Sequence, residues 1–103
     1  MNVGYTVEFN DALDSEMYVD FKTYRRDVID YSILLTVQYE GERQTVRLYD
    51  AAHGVNEMHR YTRTGGKQPA EVFHSGTLGE GMRAAKDQIE RTYGSMIDGW
   101  QTR

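Results

Sequence analysis

The stretch ILLTVQYEGERQTVRLYD, Ile33 to Asp50, reads as two strands joined by one tight turn. Ile33, Leu35, Val37 and Tyr39 alternate with Leu34, Thr36 and Gln38, the period of a strand whose side chains point to opposite faces. Glu40-Gly41-Glu42-Arg43 supplies the turn, and Gln44 to Asp50 alternates again. A turn centred on Gly41-Glu42 sets Val37 opposite Val46 and Leu35 opposite Leu48. Both apolar pairs then share one face, and an antiparallel sheet with one face to cover follows.

Working outward, the next hairpin has two readings, because a one-residue change of register sends every side chain to the other face. A four-residue loop puts Met58 with Arg47 and Tyr49, whereas a five-residue loop, Ala51 to Val55, puts Met58 opposite Leu48. The second keeps the apolar residues together and is the expected one. Thr64-Gly65-Gly66-Lys67 is a third turn, and the same counting sets Phe73 opposite Met58. Toward the N-terminus, Met17 to Thr23 alternates as a strand and Val3 to Phe9 as another, while Tyr24-Arg25-Arg26-Asp27 has no readable period.

What covers the sheet is written in the last quarter of the chain. Leu78, Met82, Ala85, Ile89, Tyr93, Met96, Ile97 and Trp100 recur at spacings of three and four, an apolar stripe on a helix from about Leu78 to Asp98. Thr77-Leu-Gly-Glu80 is a capping box. Gly79, Gly81 and Gly94 each weaken that helix by ~1 kcal/mol relative to alanine, so its stability must come from docking. The expected fold is one α+β domain over residues 1–103: an antiparallel meander of four to five strands with one C-terminal amphipathic helix packed on one face. In this register Leu48 is a core residue, and Leu48→Ala should cost ~2 to 5 kcal/mol.

Bulk properties narrow the function classes. A chain of 103 residues holds one modest core, and 39% hydrophobic with 27% charged residues is a globular balance. No apolar run approaches the ~20 residues of a membrane helix. Without cysteine there is no thiol catalysis or thiolate metal site. The opening residues lack the basic start and apolar centre of a signal peptide, which implies a cytoplasmic protein. A net charge of -4 opposes a wide nucleic-acid footprint, yet Arg43, Arg47, Arg60, Arg63 and Lys67 form a local basic cluster.

The expected register puts Arg47, Tyr49, Glu57, His59, Tyr61 and His74 together on the wet face, with Arg47 opposite His59 and Glu57 opposite His74. His53, in the Asp50-Ala-Ala-His-Gly54 loop, stands at one end of it. These residue types suit RNA cleavage without metal: His59 with His53 or His74 as base and acid, and Arg47 to stabilise the charged phosphorane. Tyr49 and Tyr61 would stack on unpaired bases, with Asp50, Glu57 and His74 completing the binding surface. Asp50 and the three histidines are also metal-ligand types, but no tight spacing such as H-E-x-x-H is present, and no metal or cofactor is expected. Gly65-Gly66-Lys67-Gln68 lacks the earlier glycine and the hydroxyl residue of a phosphate loop and reads as a hairpin turn. Arg, Tyr and His opposite one another are also ordinary on a wet sheet face, and such a surface suits a protein-binding or adaptor module equally well.

The string Arg47-x-x-Asp50-x-x-His53-Gly54, followed by His59-x-Tyr61 and a terminal amphipathic helix, resembles the TumE-like and related small toxin proteins of bacterial and archaeal toxin-antitoxin pairs. The resemblance covers roughly Val37 to Trp100, with Leu48 where a tyrosine is usual and Met58 where a second histidine often stands. It implies a compact α+β protein encoded beside a helix-turn-helix antitoxin and acting on RNA.

Overall fold

The computed structural model spans Met1–Arg103. Seven strands and one helix follow in the order β1 (Asn2–Glu8), β2 (Glu16–Tyr24), β3 (Asp27–Tyr39), β4 (Glu42–Asp50), β5 (Asn56–Thr62), β6 (Gly66–Lys67), β7 (Glu71–His74) and α1 (Leu78–Gln101). The architecture is α+β, an antiparallel meander in which β1 to β5 lie in sequence order. It exceeds the expected four to five strands because β6 and β7 divide the far edge of β5 between them. Pro69 lies between the two and has no amide hydrogen for a ladder, which accounts for the break.

The helix covers the face bearing Met17, Val19, Tyr31, Ile33, Leu35 and Val37, all buried at alternate positions of β2 and β3. Two turns that build this sheet depart from the sequence reading. Tyr24 pairs with Asp27 around Arg25 (φ 50°) and Arg26 (φ 71°), so the step without a period is a two-residue hairpin of left-handed residues. Tyr39 pairs with Glu42, so the next turn is Glu40-Gly41, one residue earlier than expected. The reason is conformational: both central residues need positive φ, and glycine takes the second position (φ 82°) without steric cost while Glu40 takes the first (φ 50°).

That move keeps each residue of β4 on its expected face, but a β-bulge then changes the faces. Thr36 pairs with Thr45 but Leu35 pairs with Arg47, leaving Val46 as the extra residue of β4. Past it, Tyr49 is wholly buried under the helix, and Leu48 turns to the opposite face, where it pairs with Leu34. The expected placement of Leu48 in the core is therefore wrong. Tyr49 pairs with Met58 and Asp50 with Glu57, so six residues, Ala51 to Asn56, separate the paired ones; neither expected loop length holds, and Met58 shares a face with Arg47 and Tyr49 rather than with Leu48. Val46, Met58 and Phe73 do face the helix, although Met58 pairs with Glu71 and a bulge opposite the Asn56–Glu57 step separates Phe73 from the expected partner.

α1 carries the apolar stripe as read, with Met82, Ala85, Ile89, Met96, Ile97 and Trp100 buried. It runs to Gln101 through a break at Thr92, whose hydroxyl bonds back to the Gln88 carbonyl at 2.6 Å just before Gly94. Its far end is held by Trp100, edge-on to Tyr39 at 5.2 Å. Its start is held by the capping box, in which the Glu80 amide donates to the Thr77 hydroxyl and the Glu80 carboxylate accepts from the Thr77 amide. Beneath that start lies Asn56, 1% exposed. Its Oδ1 accepts from the Tyr31 hydroxyl at 2.7 Å, and its Nδ2 donates to the carbonyls of His74, Gly76 and Thr77 at 3.4, 3.1 and 3.1 Å. Gly81 packs directly on this amide, and a Cβ there would overlap it, whereas Gly94 has open space around it.

The two glycines should therefore respond oppositely to one substitution. Gly94→Ala should stabilise by up to ~1 kcal/mol through helix propensity. Gly81→Ala should destabilise by ~2 kcal/mol or more, because the buried amide must move and give up hydrogen bonds. Urea denaturation of both variants measures the difference, and a neutral Gly81→Ala would refute the packing described.

Candidate functional site

The residues expected to form one site divide between the two faces of the sheet. Arg47 lies on the helix side: it pairs with Arg60, not His59, and its Nη1 donates to the Tyr49 hydroxyl at 3.4 Å while its buried Nε makes no hydrogen bond. Tyr49 donates in turn to Gln88 Oε1 at 2.8 Å and meets the Phe73 ring edge-on at 4.9 Å, a core contact with no room for a stacked base. His59 pairs with Leu48 on the open face, where its Nδ1 lies 2.9 Å from the Gln68 carbonyl. Only a protonated Nδ1 can bond to a carbonyl, so that contact fixes the tautomer. His74 pairs with Asn56, not Glu57, and its ring lies by Gly76 and the Glu80 carboxylate at the helix start. Tyr61 is half-buried against the core.

Three of the expected residues do gather. Asp50 and Glu57 are paired on the open face, and exposed His53 reaches Glu57 with Nδ1 at 2.6 Å from Oε1. Asp50 Oδ1 also accepts from the Ala52 amide at 3.3 Å, the turn chemistry of the loop. No group of three or more His, Asp or Glu side chains is placed to hold a metal ion.

The open face has an organisation that the sequence reading missed. Across its middle runs a row in register, Thr6, Tyr18, Leu34, Leu48 and His59, of which the last four are half-buried. On one side of the row stand Asp20, Asp30, Asp50 and Glu57, and on the other Glu8 and Glu16. Against these six carboxylates the strands β1 to β5 carry two permanent cations on this face, Lys22 and Arg43, with Lys67 opposite Tyr61 at the far edge, and Arg43 is bound to Glu16 at 3.1 Å. Two cavities open here: one of about 290 Å³ among Asn2, Gly4, Asp20, Lys22, Asp30 and Ser32, and one of about 270 Å³ among Glu8, Asn10, Asp14, Ser15, Glu16 and Arg43. The sole sequence signal for this face was Glu16 and Asp20 flanking Tyr18 at alternate positions, which becomes informative only once the strand order is known.

A third cavity, of about 310 Å³, lies at the start of α1 between Arg26 and Arg83. The helix amides closest to it are occupied by the capping box, so their partial positive charge is already met by Glu80. Hydrogen bonds from the Thr77 backbone and hydroxyl hold the Glu80 carboxyl below the usual carboxylate range.

A family model described as a domain of unknown function, DUF7718, matches residues 3–102. No curated protein and no solved structure matches the chain.

The placement of Tyr49 has a titration readout. Burial raises its phenol above the ordinary range against the opposing pull of Arg47, and burial, with Asp50 and Tyr49 nearby, raises Tyr31 further. A folded-state pKa above the unfolded one means that this contribution to stability is complete below about pH 10 and is lost as pH rises beyond it. Tyr49→Phe should remove one late-ionising phenol from the absorbance titration and reduce the fall in stability as pH rises above about 10. An unchanged titration would mean that Tyr49 is solvated.

Proposed function

The chain belongs to the DUF7718 family, and we propose from its geometry that it is a non-enzymatic protein-binding module whose open sheet face takes a basic, amphipathic segment of a partner. The observation that carries this reading is the coincidence, on the one face without a helix, of the surplus carboxylates and the Leu34–Leu48 pair. Half-buried leucines between acids form a surface on which apolar side chains lose water while flanking lysines or arginines meet carboxylates. Along β2 the order is Asp20, Tyr18, Glu16, so the complementary segment reads basic, apolar, basic at alternate positions of an extended chain. The cavity beside Asp20 and Asp30 has room for one long basic side chain.

A helix-turn-helix antitoxin, the partner that the resemblance implies, is one protein of this chemistry, and the pair would meet in the cytoplasm. The toxin-like ribonuclease reading is the weaker proposal. It needs acid, base and cation around one phosphate, and Arg47 and His59 lie on opposite faces of the sheet. An acidic open face also repels a phosphate backbone.

A synthetic peptide of alternating lysine and leucine is the probe, with its glutamate-leucine counterpart as control. Backbone NMR shifts on titration should fall on Tyr18, Leu34, Leu48, Asp50 and Glu57 for the basic peptide alone. Leu48→Ser should weaken that binding by about tenfold or more, the equivalent of one leucine's burial, without unfolding the half-exposed site. Shifts confined to the helix side would sink the proposal. So would cleavage of RNA by the wild type in the presence of a chelator, if His59→Ala abolished it.

A further inference from the structure

We propose that β1 is a dimerisation edge, pairing antiparallel with β1 of a second copy about a two-fold axis through Tyr5. β1 is bonded to β2 on one side only. The opposite edge of the sheet is divided between β6 and β7, which span two and four residues, whereas β1 offers seven residues in unbroken register. None of the usual edge protections is built into Asn2-Val-Gly-Tyr-Thr-Val-Glu8: it has no proline, no bulge and no lysine.

The direction of its free backbone groups can be worked out. Met1 and Thr23 exchange both bonds, the Met1 nitrogen to the Thr23 carbonyl at 3.0 Å and the Thr23 amide to the Met1 carbonyl at 2.9 Å. In an antiparallel ladder such pairs alternate with non-bonded ones, so Val3, Tyr5 and Val7 bond inward to β2. The amides and carbonyls of Asn2, Gly4, Thr6 and Glu8 therefore point out of the sheet. Two such strands can bond only with these even-numbered residues opposite one another.

Among those registers, the one centred on Tyr5 uses every residue of the strand and is complementary on both faces. On the helix side Val3 meets the second copy's Val7, both half-buried in one copy, and the two Tyr5 rings, each 38% exposed, meet at the axis. On the open side Gly4 meets Thr6, and the Asn2 amide meets the Glu8 carboxylate. Sliding by two residues in either direction loses two pairs and puts Tyr5 against a valine. Sliding farther toward the C-terminal ends brings the two Glu8 carboxylates together, a like-charge pair. Lys86, with its ammonium 5.3 Å from the Tyr5 ring centroid, stands on the helix face and leaves the bonding edge clear. The product is an isologous dimer with one continuous sheet and both helices on the same side. It is independent of what the open face binds.

Sedimentation of the full chain over a concentration series should show a monomer-dimer equilibrium, and Thr6→Pro should abolish it. The Thr6 amide bonds to nothing within the copy, so that proline leaves the β1–β2 ladder intact, which circular dichroism checks. The absence of cysteine allows a second, register-specific measurement. In Tyr5→Cys the two thiols face each other across a non-bonded pair, with Cα atoms about 4.5 Å apart, within disulfide reach. In Val7→Cys they lie about 13 Å apart. Mild oxidation should therefore cross-link Tyr5→Cys at least tenfold faster than Val7→Cys. A wild type that stays monomeric up to about 1 mM, or equal cross-linking of the two cysteine variants, overturns the proposal.

Discussion

One buried amide sets where the helix can lie. Asn56 is enclosed, and an enclosed amide without partners costs several kcal/mol, so its bonds to Tyr31 and to the carbonyls of His74, Gly76 and Thr77 must form together. Those four residues belong to β3, to the end of β7, to the link and to the helix cap. A single side chain thereby holds the centre of the sheet, its far edge and the start of α1 at fixed spacing. Gly81 completes the arrangement, since only a residue without a side chain lets the helix backbone approach this closely. The stripe from Met82 to Trp100 then has one direction in which to lie over β2, β3 and β4.

Much of this fold could be read from periodicity, and the parts that could not have identifiable causes. The helix stripe, the Thr77–Glu80 box and the alternation of Ile33 to Tyr39 are local patterns, and each appears where it was expected. The register of β4 is not local. It depends on which turn position Gly41 takes and on a bulge at Val46, neither of which leaves a mark on the alternation of Gln44 to Asp50. Gly81 reads in the sequence as a flaw in a helix and in the structure as a condition for it. The open face was illegible for a related reason, because its rows are made of residues from five strands that become neighbours only through pairing.

The same displacement explains why the candidate residues changed. Arg47, expected as a cation for a phosphate, became a helix-side neighbour of Tyr49, and Leu48, expected in the core, became the centre of the wet face. His53 kept its place at one end of the polar face, where it reaches Glu57, because a loop end is insensitive to a one-residue shift. What remains on the open face is negative and partly apolar, with Leu34 and Leu48 between rows of carboxylates.

The bulge at Val46 carries a consequence for how the chain finds its structure. Without it, and with the same Glu40-Gly41 turn, β3 and β4 have a second pairing that is consistent over its whole length, with Leu35 against Val46 and Ile33 against Leu48, and it buries leucine where the native pairing buries Tyr49. Two pairings with apolar faces of similar quality compete within one hairpin. The contacts that separate them, Tyr49 with Gln88 and with Phe73, come from α1 and β7, the last segments in the sequence. The hairpin on which the fold is built is thus not committed to its own alignment until the end of the chain has docked, and a nascent chain lacking its helix has no means of choosing between them.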